Sequence, residues 1–355
     1  ISKMNIKIIG SGSYIPEIKV TNQDFHKHMF LNEDGTPLTH STEVIIGKFK
    51  SITGIEERRY ADENLLTSDI AAIAAENAII DAKIDRESID YIILAHNFGD
   101  VKHGKIQADT VPSLATRVKN KLRIKNPKCV AYDILFGCPG WIEGTLQANA
   151  FIKSGMAKRC LVIGAETLSR VIDPHDRDSM IYADGAGATI VEESPDETGL
   201  LSYESATFAY DEADYLYFGN SFNKDLDPDV RYIKMYGRKI YEFALSNVPC
   251  AMKSCLEKSG IDISDVKKIL IHQANEKMDE AIVNRFYKLF DRPTPENIMP
   301  MSIHEHGNSS VATVPTLYDM LMKGKIKNQE LHKGDVILFA SVGAGMNINA
   351  FTYRL

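Results

Sequence analysis

Residues 134–144 read ILFGCPGWIEG, with one thiol, Cys138, held between a glycine and a proline. An apolar run precedes it and a run with helical spacing follows. Pro139 suits the first position of a helix, where a missing N–H costs nothing, so Cys138 is expected at the N-cap. Helix N-termini carry partial positive charge and free N–H groups, which favour a thiolate. Gly137 and Gly140 permit a sharp turn and close approach of a substrate. A nucleophile on such a strand-to-helix corner would serve acyl transfer. The competing reading is a buried structural cysteine, the commoner fate of a free thiol, and the local sequence leaves both open. Cys129, Cys160, Cys250 and Cys255 have no comparable corner and read as structural.

Two further residues could work with that thiol. His272 closes the apolar run ILI in VKKILIHQAN. It is either a satisfied core histidine or a base or hydrogen-bond donor at the carboxyl end of a strand, where α/β sheets bind ligands. We expect it to take in the second half of the chain the place that Cys138 takes in the first, so that two related corners meet. Asn308, in HEHGNSSVATVP, can cap a helix, present an amide donor, or do both. The pair His304-x-His306 has no neighbouring Cys, Asp or Glu at metal-ligand spacing, and no metal site is expected. The run IIGSGSYI imitates a dinucleotide fingerprint, but position 15 is Ile where the third glycine belongs, and no helix opens there.

The elements that must position these residues alternate. IKIIGSGSY, IDYIILAHN, CVAYDILFG, RCLVIGAET and GAGATIVEE read as strands. TSDIAAIAAENAIIDA, with Thr67 or Ser68 as N-cap, and PGWIEGTLQANAFIKSG, ending at Gly155, read as helices. After residue 196 the theme returns: helix GRKIYEFALSNVPCAMKSCLEKSG, strand VKKILIHQAN, helices EKMDEAIVNRFYKLF and SSVATVPTLYDMLMKG, and two strands in GDVILFASVGAGMNINAFTYRL. The pattern is α/β with largely buried strands. Each half contains a strand, a turn with a chemically capable residue, and a helix, and each ends on a glycine-rich turn and strand, which suggests an internal duplication. The acidic stretch EESPDETG at 192–199 is the natural boundary, giving halves 1–196 and 197–355.

Composition removes several classes. The chain has 355 residues, is 44% hydrophobic and carries a formal net charge of −7, so it can build a large core and lacks the basic field of a general nucleic-acid binder. No apolar run is long enough to span a membrane. Five cysteines without a C-x-x-C pair fit a reducing cytoplasm better than a disulfide framework. The opening ISKMNIKIIG has no signal-peptide layout, and Ile1-Ser2-Lys3 ahead of Met4 read as a remnant outside the native start.

Taken in order, TGIEERRYA (53–61), GCPGW (137–141), SGMAKRCLVIGAETLSRVIDPHDRDSMIYADGAGA (154–188), IHQAN (271–275), HGNSS (306–310) and SVGAG (341–345) resemble the β-ketoacyl-[acyl-carrier-protein] synthase III family of condensing enzymes. The resemblance runs over nearly the whole chain. It implies a thiolase-like fold: two duplicated halves, each with a mixed five-stranded sheet, stacked in αβαβα layers. It implies a homodimer in the cytoplasm, working in fatty acid biosynthesis with no cofactor. The substrates would be thioesters of acyl carrier protein, with acyl-CoA as a possible donor. By the same resemblance Cys138, His272 and Asn308 form a catalytic triad, and the backbone N–H groups of Cys138 and Ala344 form an oxyanion hole. The reaction the resemblance implies is decarboxylative Claisen condensation through an acyl-cysteine. Gly343 lets backbone approach the substrate.

Several positions depart from the family. Lys48 stands where acetyl-CoA users carry an adenine-stacking tryptophan, while Arg177 keeps the flanking arginine. That weakens CoA as the donor and favours a carrier protein. Val111 aligns with a phenylalanine that closes the acyl tunnel across the dimer interface, and the additional VKHGKIQAD just before it remodels the same region. Val342 replaces an aromatic residue beside the thiol. Both changes imply a roomier site and a longer primer. Lys277 and Arg285, eight residues apart on one helix face, and Arg238 with Lys239 are candidate docking residues for an acidic carrier protein; ordinary solvated charge is the alternative. The rival functions are a specialised ketosynthase joining longer or β-keto acyl thioesters, as in dialkylresorcinol, quinolone or aryl-polyene routes; acyl transfer without decarboxylation; and a non-catalytic acyl-binding subunit.

Overall fold

The computed structural model describes residues 5–355; the expectations placed on residues 1–4 lie outside it. The first half runs β1 (Asn5–Tyr14), β2 (Ile18–Thr21), α1 (Thr42–Thr53), β3 (Glu57–Tyr60), α2 (Thr67–Ala82), β4 (Tyr91–Ala95), β5 (Asp100–Val101), β6 (Ala108–Asp109), α3 (Leu114–Lys121), β7 (Val130–Ile134), α4 (Gly140–Lys153), β8 (Arg159–Thr167) and β9 (Asp184–Ser194). It continues with β10 (Gly199–Thr207), β11 (Leu216–Asn220), β12 (Arg231–Met235), α5 (Gly237–Ser259), β13 (Val266–Ile271), α6 (Glu276–Lys288), α7 (Ile303–His306), α8 (Thr313–Met322), β14 (Val336–Gly343) and β15 (Asn347–Arg354).

Two mixed sheets carry the architecture. The first has the order β1-β9-β8-β4-β7, with β1, β9 and β8 antiparallel and β4 parallel to both β8 and β7. The second has the order β10-β15-β14-β13, antiparallel except for the parallel pair β13-β14. The period-2 alternation of strands sorts their side chains between layers. Ile92 and Leu94 of β4 pack outward against α2 and α3, while Ile93 and Ala95 face inward. The inner layer is α4 and α8, whose Trp141, Ile142, Leu146, Leu317 and Leu321 meet both sheets. On the far side α5 and α6 cover β13–β15. This gives the expected αβαβα stack. Burying each of these large side chains contributes roughly 1.5–3 kcal/mol. The indole N–H of Trp141 is satisfied by Thr189 Oγ1 at 3.2 Å.

Three expectations need correction. The second sheet has four strands, not five. The segment that would supply the fifth, 292–302, holds Pro293, Pro295 and Pro300, which remove ladder donors; it touches the sheet edge where Ile269 N–H donates to the Ile298 carbonyl at 2.8 Å. The N-cap of α2 is Leu66 rather than Thr67 or Ser68. Both hydroxyls are engaged elsewhere: Thr67 Oγ1 bonds Thr167 Oγ1 at 2.6 Å, and Ser68 Oγ donates to Asp100 at 2.7 Å. Finally, β13 occupies the sheet position of β4, not of β7. Position for position, His272 therefore matches His96, just past β4. The counterpart of Cys138, which lies between β7 and α4, is the Asn308–Ser310 turn before α8. The two corners still meet, but they are not the symmetric pair expected.

Candidate active site

The ends of β4, β7, β13 and β14 open on one cavity of about 780 Å³. Cys138, His272, Asn308, Gly343 and Ala344 all line it. Cys138 lies one residue ahead of the N-cap, because the helix begins at Gly140 and Pro139 is the cap. Gly137, at φ +64°, makes the turn from β7. The turn after β14 closes over this corner. A Cβ on Gly343 would lie 2.3 Å from Cys138 N, so only glycine permits the approach. Asn347 ties the two turns together, its Nδ2 donating to the carbonyls of Ala344 at 2.9 Å and Phe136 at 3.3 Å. The N–H groups of Cys138 and Ala344 have no acceptor among the described residues.

The thiol departs from the sequence expectation. Burial pushes Cys138 up to about 12 rather than down, against the pull of the Ser310 hydroxyl, which donates to Sγ at 3.3 Å. His272 is buried, and burial lowers it to about 4, so its imidazole is neutral at pH 7. Its Nδ1 is buried without a partner, which leaves Nε2 as the nitrogen open to the cavity. An orphaned lone pair costs less than an orphaned N–H, so the proton belongs on Nε2. Asn308 is oriented by its backbone and its own oxygen. Its N–H donates to Ile181 O at 2.9 Å, and its Oδ1 accepts from Ser310 N–H at 2.7 Å. That leaves its –NH₂ for the cavity. The chamber thus presents a thiol, two side-chain donors and two free backbone N–H groups.

The remaining candidates separate. Val342 lines the cavity beside Gly343, and Lys48, Arg177 and Arg238 stand at its mouth. Lys48 Nζ is 2.9 Å from His40 Nε2, and Arg238 pairs with Glu242 at 3.0 Å on the surface. Lys277 is exposed on the first turn of α6 next to the lining residue Met278. Arg285 is exposed two turns further on, away from the cavity. Val111 lies outside the cavity of its own chain and is 85% exposed. The wall between mouth and thiol is apolar, built from Phe49, Ile52, Phe98, Phe218, Ile233 and Met235. Among the described residues, no group of three or more His, Cys, Asp or Glu could hold a metal ion, and no helix is long and apolar enough to cross a membrane.

Comparison with known proteins identifies the family. The profile of 3-oxoacyl-[acyl-carrier-protein (ACP)] synthase III matches residues 132–208, and that of its C-terminal part matches 256–355. The β-ketoacyl-[acyl-carrier-protein] synthase III 1 of Vibrio vulnificus is 33% identical over 348 residues, covering 96% of this chain and 97% of that one. The Bacillus pumilus synthase III is 32% identical, covering 99% of each. The chain belongs to the 3-oxoacyl-[acyl-carrier-protein] synthase III family. The solved synthase III of Aquifex aeolicus superposes with a TM-score of 0.79 at 31% identity over 99% of this chain and 100% of that one. OleA of Xanthomonas campestris shares the fold, with a TM-score of 0.79 at 19% identity over 99% of this chain and 98% of that one.

Within this synthase III fold, sequence reasoning passed over four residues near the thiol: Asn97, Glu166, Ser310 and Asn347. Glu166 had a readable signal, a lone carboxylate inside the apolar strand RCLVIGAET. Asn97, Ser310 and Asn347 had none, because short polar residues at strand ends and turns are common.

Proposed function

We propose that this chain is the acyltransferase of a decarboxylative Claisen condensation, a 3-oxoacyl-[acyl-carrier-protein] synthase III that extends an acyl thioester with malonyl-[acyl-carrier-protein]. One observation carries the reading: a thiol, two side-chain donors and two free amide N–H groups converge on a single cavity at the strand ends. In the first half-reaction Cys138 attacks the donor thioester, the acyl group passes to sulfur, and the leaving thiol takes the proton. In the second, the malonyl thioester loses CO₂. The enolate oxygen that develops accepts from His272 Nε2–H and Asn308 Nδ2–H. The enolate carbon then attacks the acyl-cysteine, the resulting oxyanion accepts from the N–H groups of Cys138 and Ala344, and its collapse breaks the C–S bond, releasing the 3-oxoacyl thioester and the Cys138 thiolate, which regains a proton. A preorganised donor of this kind contributes about 3–4 kcal/mol in the transition state. A neutral His272 suits this role, because a donor to an enolate need not carry charge.

Substrate and partners follow from the same cavity. The apolar wall and the valine at position 342 support a primer longer than acetyl. The mouth residues Lys48, Arg177 and Arg238 suit the phosphate of a pantetheine arm, which CoA and a carrier protein share. Without an aromatic residue at position 48, the carrier protein is the better donor, with Arg238 and Lys277 beside its path and Arg285 more remote. A homodimer is supported by the free edge of β7, by Leu135 at 69% exposure directly after it, and by the outward placement of Val111. Intact-mass measurement after incubation with acetyl-CoA, or with hexanoyl- to dodecanoyl-carrier protein, tests the reading. An adduct on Cys138 that malonyl-carrier protein converts to a 3-oxoacyl product supports it. Absence of an adduct from every donor sinks it, and fast, exclusive use of acetyl-CoA overturns the primer argument.

A further inference from the structure

Beneath the thiol lies a chain of polar groups that the condensation steps do not use. Glu166, at the end of β8, is 1% exposed. Its Oε1 accepts a very short hydrogen bond from Asn97 Nδ2. The same Nδ2 donates to Ser310 Oγ at 3.1 Å. Ser310 Oγ in turn donates to Cys138 Sγ at 3.3 Å. A serine hydroxyl has one hydrogen and two lone pairs. With a lone pair held by Asn97, that hydrogen is left for two acceptors, the sulfur and the Glu166 carboxyl.

The backbone is arranged for this contact. Ser310 sits at φ +52°, a left-handed conformation that disfavours any residue with a side chain. Its N–H is held by Asn308 Oδ1 at 2.7 Å. The turn reaches β8 only because residue 164 is glycine: a Cβ there would lie 2.4 Å from the Val311 carbonyl oxygen.

We propose that Ser310 is a catalytic residue whose hydroxyl stabilises the Cys138 thiolate, and that Asn97 and Glu166 are positioning residues that aim it. This rests on Cys138 being the nucleophile. Burial raises Glu166 to about 8, so at neutral pH it is mostly an uncharged acid. An uncharged neighbour lets the thiolate form, whereas an ionised one repels it. Other titratable groups face the same space. Asp178 and Tyr182 approach from the 177–182 segment, His272 lies at the end of β13, and Asp184 on β9 acts on Glu166.

The test is the rate at which iodoacetamide alkylates Cys138 between pH 6 and 10, read by peptide mass. At pH values below the thiol's own pKa, the rate follows the thiolate fraction. Ser310→Ala should slow alkylation about tenfold at every pH, one unit of thiol pKa. A wild-type rate in that variant overturns the proposal. In the native protein the log rate should rise with a slope below one as Glu166 ionises near pH 8, and Glu166→Gln should straighten the line. Because Gln is nearly isosteric, this second arm stands even if Ser310→Ala does not fold. A bend that survives Glu166→Gln belongs to Asp178 and counts against the proposal. The readout needs no acyl substrate. A protein that passes it but accepts no acyl group retires the condensation reading alone.

Discussion

His96 and His272 stand at matching places, each just past the matching parallel strand of its own half, β4 and β13, and they do opposite things. Both are 3% exposed. His96 is fully engaged: Nε2 is 2.8 Å from Asp133, and Nδ1 accepts from Gly99 N–H at 3.0 Å. It pins the end of β4 to β7 and to the next turn. His272 has one nitrogen orphaned and the other open to the cavity. The duplicated fold offers the same corner twice. In one half the corner is closed by a fifth strand carrying Asp133. In the other, no fifth strand forms and a proline-rich segment passes instead, so nothing satisfies the histidine. A buried polar group without a partner is costly, and its persistence here marks a corner that faces the cavity.

That contrast can be broken experimentally. The largest effect should come from the other partner in the chamber: Cys138→Ala should reduce condensation roughly a thousandfold or more and abolish the acyl adduct. Next, His272→Ala should lower condensation roughly a hundredfold or more while the melting temperature holds and acyl loading suffers less. His96→Ala should do the reverse, costing about 1–3 kcal/mol in urea unfolding because Asp133 loses a partner, with turnover per folded molecule retained. If the two variants behave alike, the division of labour between the corners is wrong.

Acid sharpens the same point. Burial holds folded His272 near 4, below the ordinary histidine value of 6.5. Its neutral form is favoured in the fold, so its contribution to stability is complete above about pH 6.5 and is lost as pH falls toward 4. The loss is on the order of 3 kcal/mol. Urea unfolding of the native protein and of His272→Asn at pH 7.5 and 4.5 should show it as a difference between the two proteins, because Glu166, raised to about 8 and opposite in sign, shifts both alike. The smallest effect belongs to the surface: Lys277→Glu or Arg238→Glu should raise KM for an acyl-carrier substrate several-fold, more at low salt, and leave kcat nearly alone. No change in KM would remove that face as the docking site.

Much of this was legible beforehand. The expected helix at 67–82 is found at those residues, and the strands and helices that carry Cys138 and His272 were readable because apolar periodicity survives burial on both faces of a sheet. The order of Cys138, His272 and Asn308 was linear information and needed no structure. The hairpin β11-β12 and the strand β10 were missed, because their polar, half-exposed residues carry little periodicity. The sign of the Cys138 shift was also missed. A helix N-terminus is a local feature, whereas desolvation depends on everything that surrounds the sulfur.

The residue types, their order and the two-half pattern belong to the sequence alone, because covalent neighbours and periodicity suffice to place a thiol on a corner and a histidine at a strand end. Only the tertiary structure decided which corner faces which. It showed that Cys138 pairs by symmetry with the Asn308–Ser310 turn and His272 with His96. It also brought Glu166, Asn97 and Ser310 under the sulfur from three distant segments. Sheet order is set by long-range pairing and layer packing, and neither has a signature within a few residues of the site.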